Sequence, residues 1–361
     1  MKDREKAQVT REMERAPQAK LYWKAPAVFV IVRLPARFMP LLDKPLSELR
    51  EYRGTNPKPA DHEAYWAKAL EELDQTAPEV ELIPVDLLGD SRAELFDLYF
   101  TGVGGARVHA KYLRPREAKE PHPAVLEFHG YGGDSGDWTG KLPYVGEGYS
   151  FASLDCRGQG GGLSEDNSQV TGNTREGHIA RGLQGAPEKM LFRQIFLDTA
   201  QLARIVMSQP EVDPQRVAST GGSQGGALCL VCAALEPRIC RVGAAFPFLS
   251  DYQRVWEMDL AKDAYADVKA YLRQVDPLHE RREEIFTQLG YIDIQHLMPR
   301  IRGEVLMAIT LMDNICPPST QFAAFNKITS KKEALIYPDF GHEHLPGFGD
   351  RIFRFFMGMK G

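Results

Sequence analysis

Val217-Ala218-Ser219-Thr220-Gly221-Gly222-Ser223-Gln224-Gly225-Gly226-Ala227-Leu228 reads as the end of a strand, a sharp turn and the start of a helix. It contains a G-x-S-x-G pattern, Gly221-Gly222-Ser223-Gln224-Gly225. In that pattern a serine on a strained turn pushes its hydroxyl out of the sheet, and the flanking glycines remove side chains that would collide with the neighbouring strand and helix. The same turn aims the Gln224 backbone N–H, near the helix N-terminus, at charge developing on a substrate oxygen. Glycine- and serine-rich turns are common, so the pentapeptide gains its meaning from what surrounds it.

Outward from the turn, apolar runs at 124–128, 150–154, 217–220, 242–246, 305–311 and 334–337 predict strands covered on both faces, as in a parallel sheet. Helices are expected between them at 191–207, 224–235, 319–328 and 348–357. Upstream, two alternating runs at 95–101 and 107–113 flank Gly102-Val103-Gly104-Gly105 and predict an antiparallel hairpin. A further helix over 59–76 carries Tyr65, Trp66, Ala69, Leu70 and Leu73 on one face, a stripe that reads as packing. A hairpin leading into a mostly parallel sheet, helices on both faces and a serine turn in mid-chain is the layout of an α/β-hydrolase. Residues 158–187 form a long polar, glycine-rich connection, and 250–300 a charged helical insertion placed where a cap over the site would sit. One domain is expected over 39–361, preceded by a poorly ordered extension over 1–38, with Met39 as the natural start.

The 361 residues are 43% hydrophobic and carry a formal net charge of -5, which gives no bulk attraction to nucleic acid or anionic lipid. Five cysteines, an odd number in a long chain, argue against a disulfide framework and for a reducing compartment. Cys229 and Cys232 lie in an apolar run with no second Cys/His pair at ligand spacing, so they read as buried thiols. Neither metal nor cofactor is expected. The apolar run at 25–32 is too short to span a bilayer and is a poor signal-peptide core, so a cytoplasmic protein is expected, with no membrane partner.

A serine hydroxyl is a weak nucleophile at neutral pH and needs a base held by an acid. In this layout the chain order is serine, acid, histidine, each at a strand end. The sequence offers Ser223, then Asp313 directly after the 305–311 strand, then His342 after Gly341 beyond the last strand. Asp339 lies too close to His342 in sequence to reach its far ring nitrogen, and Asp155 precedes the serine. His344 is the residual rival to His342. His129 opens Gly130-Tyr131-Gly132-Gly133 after an apolar strand, which suggests a second oxyanion donor, the Tyr131 N–H, with the Tyr131 ring as one wall of the acyl site.

Together these residues resemble the carbohydrate-esterase family of acetyl xylan esterases and cephalosporin C deacetylases. The resemblance covers 39–360 and rests on Arg157-Gly158-Gln159, Gly221-Gly222-Ser223-Gln224-Gly225-Gly226 and His342-Glu343, with an acid-bearing segment from Leu311 through Asp313 to Thr320. It implies Ser223 as nucleophile, His342 as base, Asp313 as orienting acid and the Tyr131 and Gln224 N–H groups as oxyanion hole. It also implies that Arg157, Gln159 and Glu343 give structural support and that Pro247 and Phe248 narrow the acyl pocket. Small acetylated sugars, xylo-oligosaccharides among them, and cephalosporin C are the implied substrates, and a homo-hexamer the implied assembly. A serine esterase or peptidase of other acyl specificity, or a binding protein that kept the fold, are the alternatives.

Overall fold

In the computed structural model, residues 42–360 are described, apart from 88, 90, 91, 118, 119 and 167–176. The expected extension over 1–38 lies outside them. Nine strands, β1 (Glu81–Pro84), β2 (Ala93–Thr101), β3 (Arg107–Pro115), β4 (His122–Phe128), β5 (Ser150–Leu154), β6 (Val212–Gly222), β7 (Ile239–Ala245), β8 (Glu304–Thr310) and β9 (Lys332–Tyr337), form one sheet. Their order is β1-β2-β3-β5-β4-β6-β7-β8-β9. The first three strands and the β3–β5 pair run antiparallel, and every pair from β5 through β4 to β9 is parallel. This is the α/β-hydrolase sheet.

Burial follows position in the sheet. Every residue of β5 is buried, and β8 is buried after its first residue, because helices cover both faces there. β1 at the edge is mostly exposed. Four residues ending in proline carry too little periodicity to be read as a strand, and the sequence reading passed over it. The helices Leu191–Met207, Gln224–Leu235 and Phe348–Met357 have the expected bounds, and the helix expected at 319–328 runs Pro318–Lys327. The upstream helix is His62–Gln75, shorter than the expected 59–76 because Pro59 lies before it.

Helix Gln224–Leu235 is apolar on all sides and buried along its whole length. A helix of that kind needs partners all round, and here the sheet and helix Leu191–Met207 supply them. Its close approach to the sheet depends on glycine. A Cβ at Gly225 would lie 1.9 Å from the Phe128 carbonyl oxygen, and one at Gly221 would lie 2.4 Å from the Gly225 backbone. Backbone cannot yield as a side chain tip can. Gly225→Ala is therefore expected to drop soluble yield and lower the melting temperature sharply, measured against Gly349→Ala, where an added Cβ meets nothing within 4 Å.

The segment between β7 and β8 forms short helices, Tyr252–Glu257, Ala266–Val275 and Arg282–Leu289, with 3-10 turns between them. The helical insertion expected over 250–300 thus lies between these two strands. Buried Asp251 anchors it to the upstream chain by accepting from Tyr52 Oη at 2.7 Å, Thr55 N–H at 2.9 Å and Asn56 N–H at 2.8 Å.

Candidate active site

Ser223 sits between β6 and the following helix at φ 56, ψ -119, a positive φ that non-glycine residues rarely adopt. Its N–H donates to Ala245 O at 3.0 Å, and its carbonyl accepts from Ala227 N–H and Phe248 N–H, each at 3.0 Å. The turn is thus pinned to β7 and to the helix, which holds the strained backbone and turns the side chain outward. Serine Oγ lies 2.9 Å from His342 Nε2, and His342 Nδ1 lies 2.8 Å from Asp313 Oδ2.

The two partners meet because β8 and β9 are paired. Thr310 lies opposite Tyr337, and the pairing continues past the strands with Leu311 N–H to Tyr337 O at 3.1 Å and Met312 N–H to Phe340 O at 3.0 Å. Asp313 is wholly buried. Its Oδ1 accepts from Ile315 N–H at 2.9 Å and Cys316 N–H at 2.8 Å, while Oδ2 has Thr310 Oγ1 at 3.2 Å beside the histidine. Those contacts fix the carboxylate so that one oxygen faces the imidazole. Glu343 accepts from Gly341 N–H at 3.0 Å and so steadies the histidine turn.

The rivals are committed elsewhere. Asp155 bonds His109 Nδ1 at 2.5 Å and Ser135 Oγ at 3.2 Å, and Asp339 is exposed in the turn. His129 accepts from Cys156 N–H through Nε2 at 3.0 Å and faces Gly130 O through Nδ1 at 2.7 Å, a loop-holding role. His344 is exposed.

The N–H groups of Tyr131 and Gln224 take no acceptor among the described residues. The loops bearing them are joined by Gln159. Its Oε1 accepts from Gly132 N–H at 3.0 Å and from Gln224 Nε2 at 2.9 Å, and its Nε2 donates to Gln224 Oε1 at 2.9 Å. Arg157 fixes the same loop from behind with a buried, two-pronged ion pair to Asp198 at 2.6 and 2.7 Å. Burial pushes the Asp198 carboxyl up, and Arg157 opposes that shift.

Phe248 has no exposed surface, its ring set between Tyr131 at 5.7 Å and Tyr265 at 4.4 Å. Buried Pro247 packs behind the serine turn, where a Cβ at Gly226 would meet its Cα at 3.3 Å. The half-buried ring against His342 is Phe246, at 4.7 Å. Sequence reasoning missed it, since one more aromatic at a strand end carries no signal of its own.

Asp267, on helix Ala266–Val275, accepts from Ala180 N–H at 2.8 Å through Oδ2, while its buried Oδ1 has no partner among the described residues. Burial raises its carboxyl from 3.8 to about 7. The folded protein then holds the proton more tightly than the unfolded chain, so stability falls as pH rises from 3.8 to about 7 and stays lower above it. Asp267→Asn removes that loss. Its melting temperature should exceed the parent's at pH 8 by a few degrees and match it at pH 4; an equal gain at both would exclude titration as the cause.

A serine on a strand-to-helix turn, with an acid and a histidine following in the chain at two strand ends and all three linked, defines an α/β-hydrolase site. The model of the acetyl xylan esterase (AXE1) family matches residues 39–359, and the chain belongs to that family. It is 28% identical over 291 residues to acetyl esterase Axe7A of Xylanibacter ruminicola, a match over 78% of this chain that spans only 62% of that protein's length. Among solved structures, acetyl xylan esterase 1 from Thermoanaerobacterium sp. JW/SL YS485 superposes with a TM-score of 0.86 at 55% identity, covering 88% of this chain and 100% of that one. The acetyl xylan esterase from Paenibacillus sp. R4 gives 0.83 at 32% identity, covering 87% and 99%. Among the described residues no helix is long and apolar enough to cross a membrane.

Proposed function

We propose that the protein is a serine esterase that removes acetyl groups from small acetylated carbohydrates, xylo-oligosaccharides among them, and from cephalosporin C. The observation that carries the reading is the unbroken hydrogen-bonded line from Ser223 Oγ through both His342 nitrogens to Asp313. The names of its relatives, acetyl xylan esterase and acetyl esterase, support the acyl group.

In the reaction Ser223 Oγ attacks the acetyl carbonyl while His342 Nε2 takes its proton. Asp313 keeps the remaining proton on Nδ1 and stabilises the imidazolium. Tyr131 and Gln224 N–H groups donate to the oxyanion, each worth about 3 kcal/mol in the transition state. His342 returns its proton to the departing sugar oxygen, and water then attacks the acetyl-serine by the same route in reverse. The Tyr131 ring narrows the acyl pocket with Phe248 backing it and Pro247 fixing the serine turn from behind, and Arg157, Gln159 and Glu343 hold the loops that line it.

A series of nitrophenyl esters from acetate to octanoate tests the acyl group. The reading expects kcat/KM to peak at acetate, and a peak at butyrate or longer would contradict it. Release of deacetylcephalosporin C by wild-type protein and its loss in Ser223→Ala would support the antibiotic substrate, and absence of release would remove it. The one domain over 39–361 carries this activity. The five unpaired cysteines favour a cytoplasmic setting, and the family resemblance favours a homo-hexamer, which sedimentation velocity would read directly.

A further inference from the structure

Among the described residues, one group of three Asp, Cys or His side chains brings its ligand atoms within 4.8 Å of one another: Asp313, Cys316 and His342. The cysteine comes from the turn that wraps the acid, its own N–H donating to Asp313 Oδ1 at 2.8 Å. Its thiol is wholly buried beside Asp313 and His342, whose Nε2 is 2.9 Å from Ser223 Oγ. The mechanism above has no use for that sulfur.

We propose that Asp313, Cys316 and Nδ1 of His342 form an inhibitory site for a thiophilic divalent cation such as zinc or cadmium, and that its occupation switches the esterase off. The proposal rests on the esterase reading for its effect, but not for the binding itself. One sulfur, one imidazole nitrogen and one carboxylate oxygen are the donor set that suits zinc, with a fourth position left for water. The charges balance as well. The thiol loses its proton to solvent as the metal–sulfur bond forms, and thiolate and carboxylate together neutralise the dication.

A thiol ligates only as the thiolate, so cation binding releases its proton and affinity rises with pH. Entry is along His342, whose side chain keeps 21% of its surface exposed while Asp313 keeps none.

Inhibition follows from the nitrogen that Asp313 faces, which is Nδ1. A cation there replaces the Asp313 hydrogen bond and leaves the ring proton on Nε2, which then points at Ser223 Oγ as a donor. The base is gone. The simpler alternative, that Cys316 is only a small apolar residue packed beside the acid, predicts no such sensitivity.

The test titrates zinc chloride, then cadmium chloride, into wild-type protein, Cys316→Ser and Cys316→Ala in a buffer that does not chelate. Hydrolysis of nitrophenyl acetate and the cadmium–thiolate charge-transfer absorbance are followed together. The wild type should be inhibited, recover with EDTA and show the cadmium band, more strongly at pH 8 than at pH 6. Both variants should need at least about tenfold more zinc for the same fractional inhibition and should show a weaker cadmium band. Serine keeps the shape of cysteine, so one variant remains if alanine fails to fold. Equal sensitivity in wild type and variants would overturn the proposal, since any cation would then bind elsewhere, the other four thiols included. A cadmium band that depends on Cys316 in a protein without esterase activity would uphold the site and sink the functional reading, which keeps the two failures apart.

Discussion

Ser223→Ala is expected to lower turnover of acetyl esters about a millionfold and to leave the fold intact. The loss is large because the hydroxyl oxygen is the only protein atom in the proposed reaction that forms a bond to the acetyl carbon. Some hydrolysis above the uncatalysed rate should survive, since the Tyr131 and Gln224 N–H groups can still polarise a carbonyl for attack by water. Stability should move by less than about 0.5 kcal/mol. The turn is held by backbone bonds from Ser223 to Ala245, Ala227 and Phe248, all of which alanine keeps. Kinetics with nitrophenyl acetate and a thermal melt check both halves. Activity near the wild-type level would place the nucleophile elsewhere.

The second large effect belongs to Asp313→Asn, where a change of one atom should cost about 10,000-fold in kcat. The direction follows from which way the amide must turn. Ile315 and Cys316 N–H groups both point at Oδ1 and demand an oxygen there. The NH2 group of asparagine is then forced into the position of Oδ2, facing His342 Nδ1. That nitrogen becomes an acceptor, its proton moves to Nε2, and Nε2 can no longer take a proton from Ser223. Asp339→Asn is the control, because Asp339 is exposed and outside the line. It should behave as wild type, and the reverse pattern would exchange the two roles.

Much of the fold was legible because the apolar segments are long and their ends are marked. Helix Gln224–Leu235 starts at glycines and is closed off by Glu236-Pro237, and its predicted bounds match the observed ones. β1 was not legible, since an exposed edge strand of four residues has neither alternation nor an apolar run. Ser223, Asp313 and His342 were legible from their order along the chain, which the parallel sheet turns into proximity at its C-terminal edge. What could not be read is whatever depends on loop curvature. Nothing in the spacing of Gln159 and Gln224 says that their amides pair and tie the two oxyanion loops together. Nothing in Asp313-Asn314-Ile315-Cys316 says that the chain curls enough to bring the cysteine thiol back beside the serine. Asp155 illustrates the same limit from the other side. Its exclusion by chain order agrees with its place in the structure, but the cause is physical: it is engaged by His109, which Asp97 also contacts from the other ring nitrogen at 3.0 Å.

In the proposed reaction every acetyl group passes through Ser223. Mixing the protein with an acetyl ester, quenching in acid within the first turnover and sequencing the peptides by mass spectrometry tests it most directly. One acetyl group is expected on the peptide containing Ser223, absent from Ser223→Ala. An acetyl group on any other residue, or rapid turnover with no acetylated peptide and unchanged activity in Ser223→Ala, would contradict it.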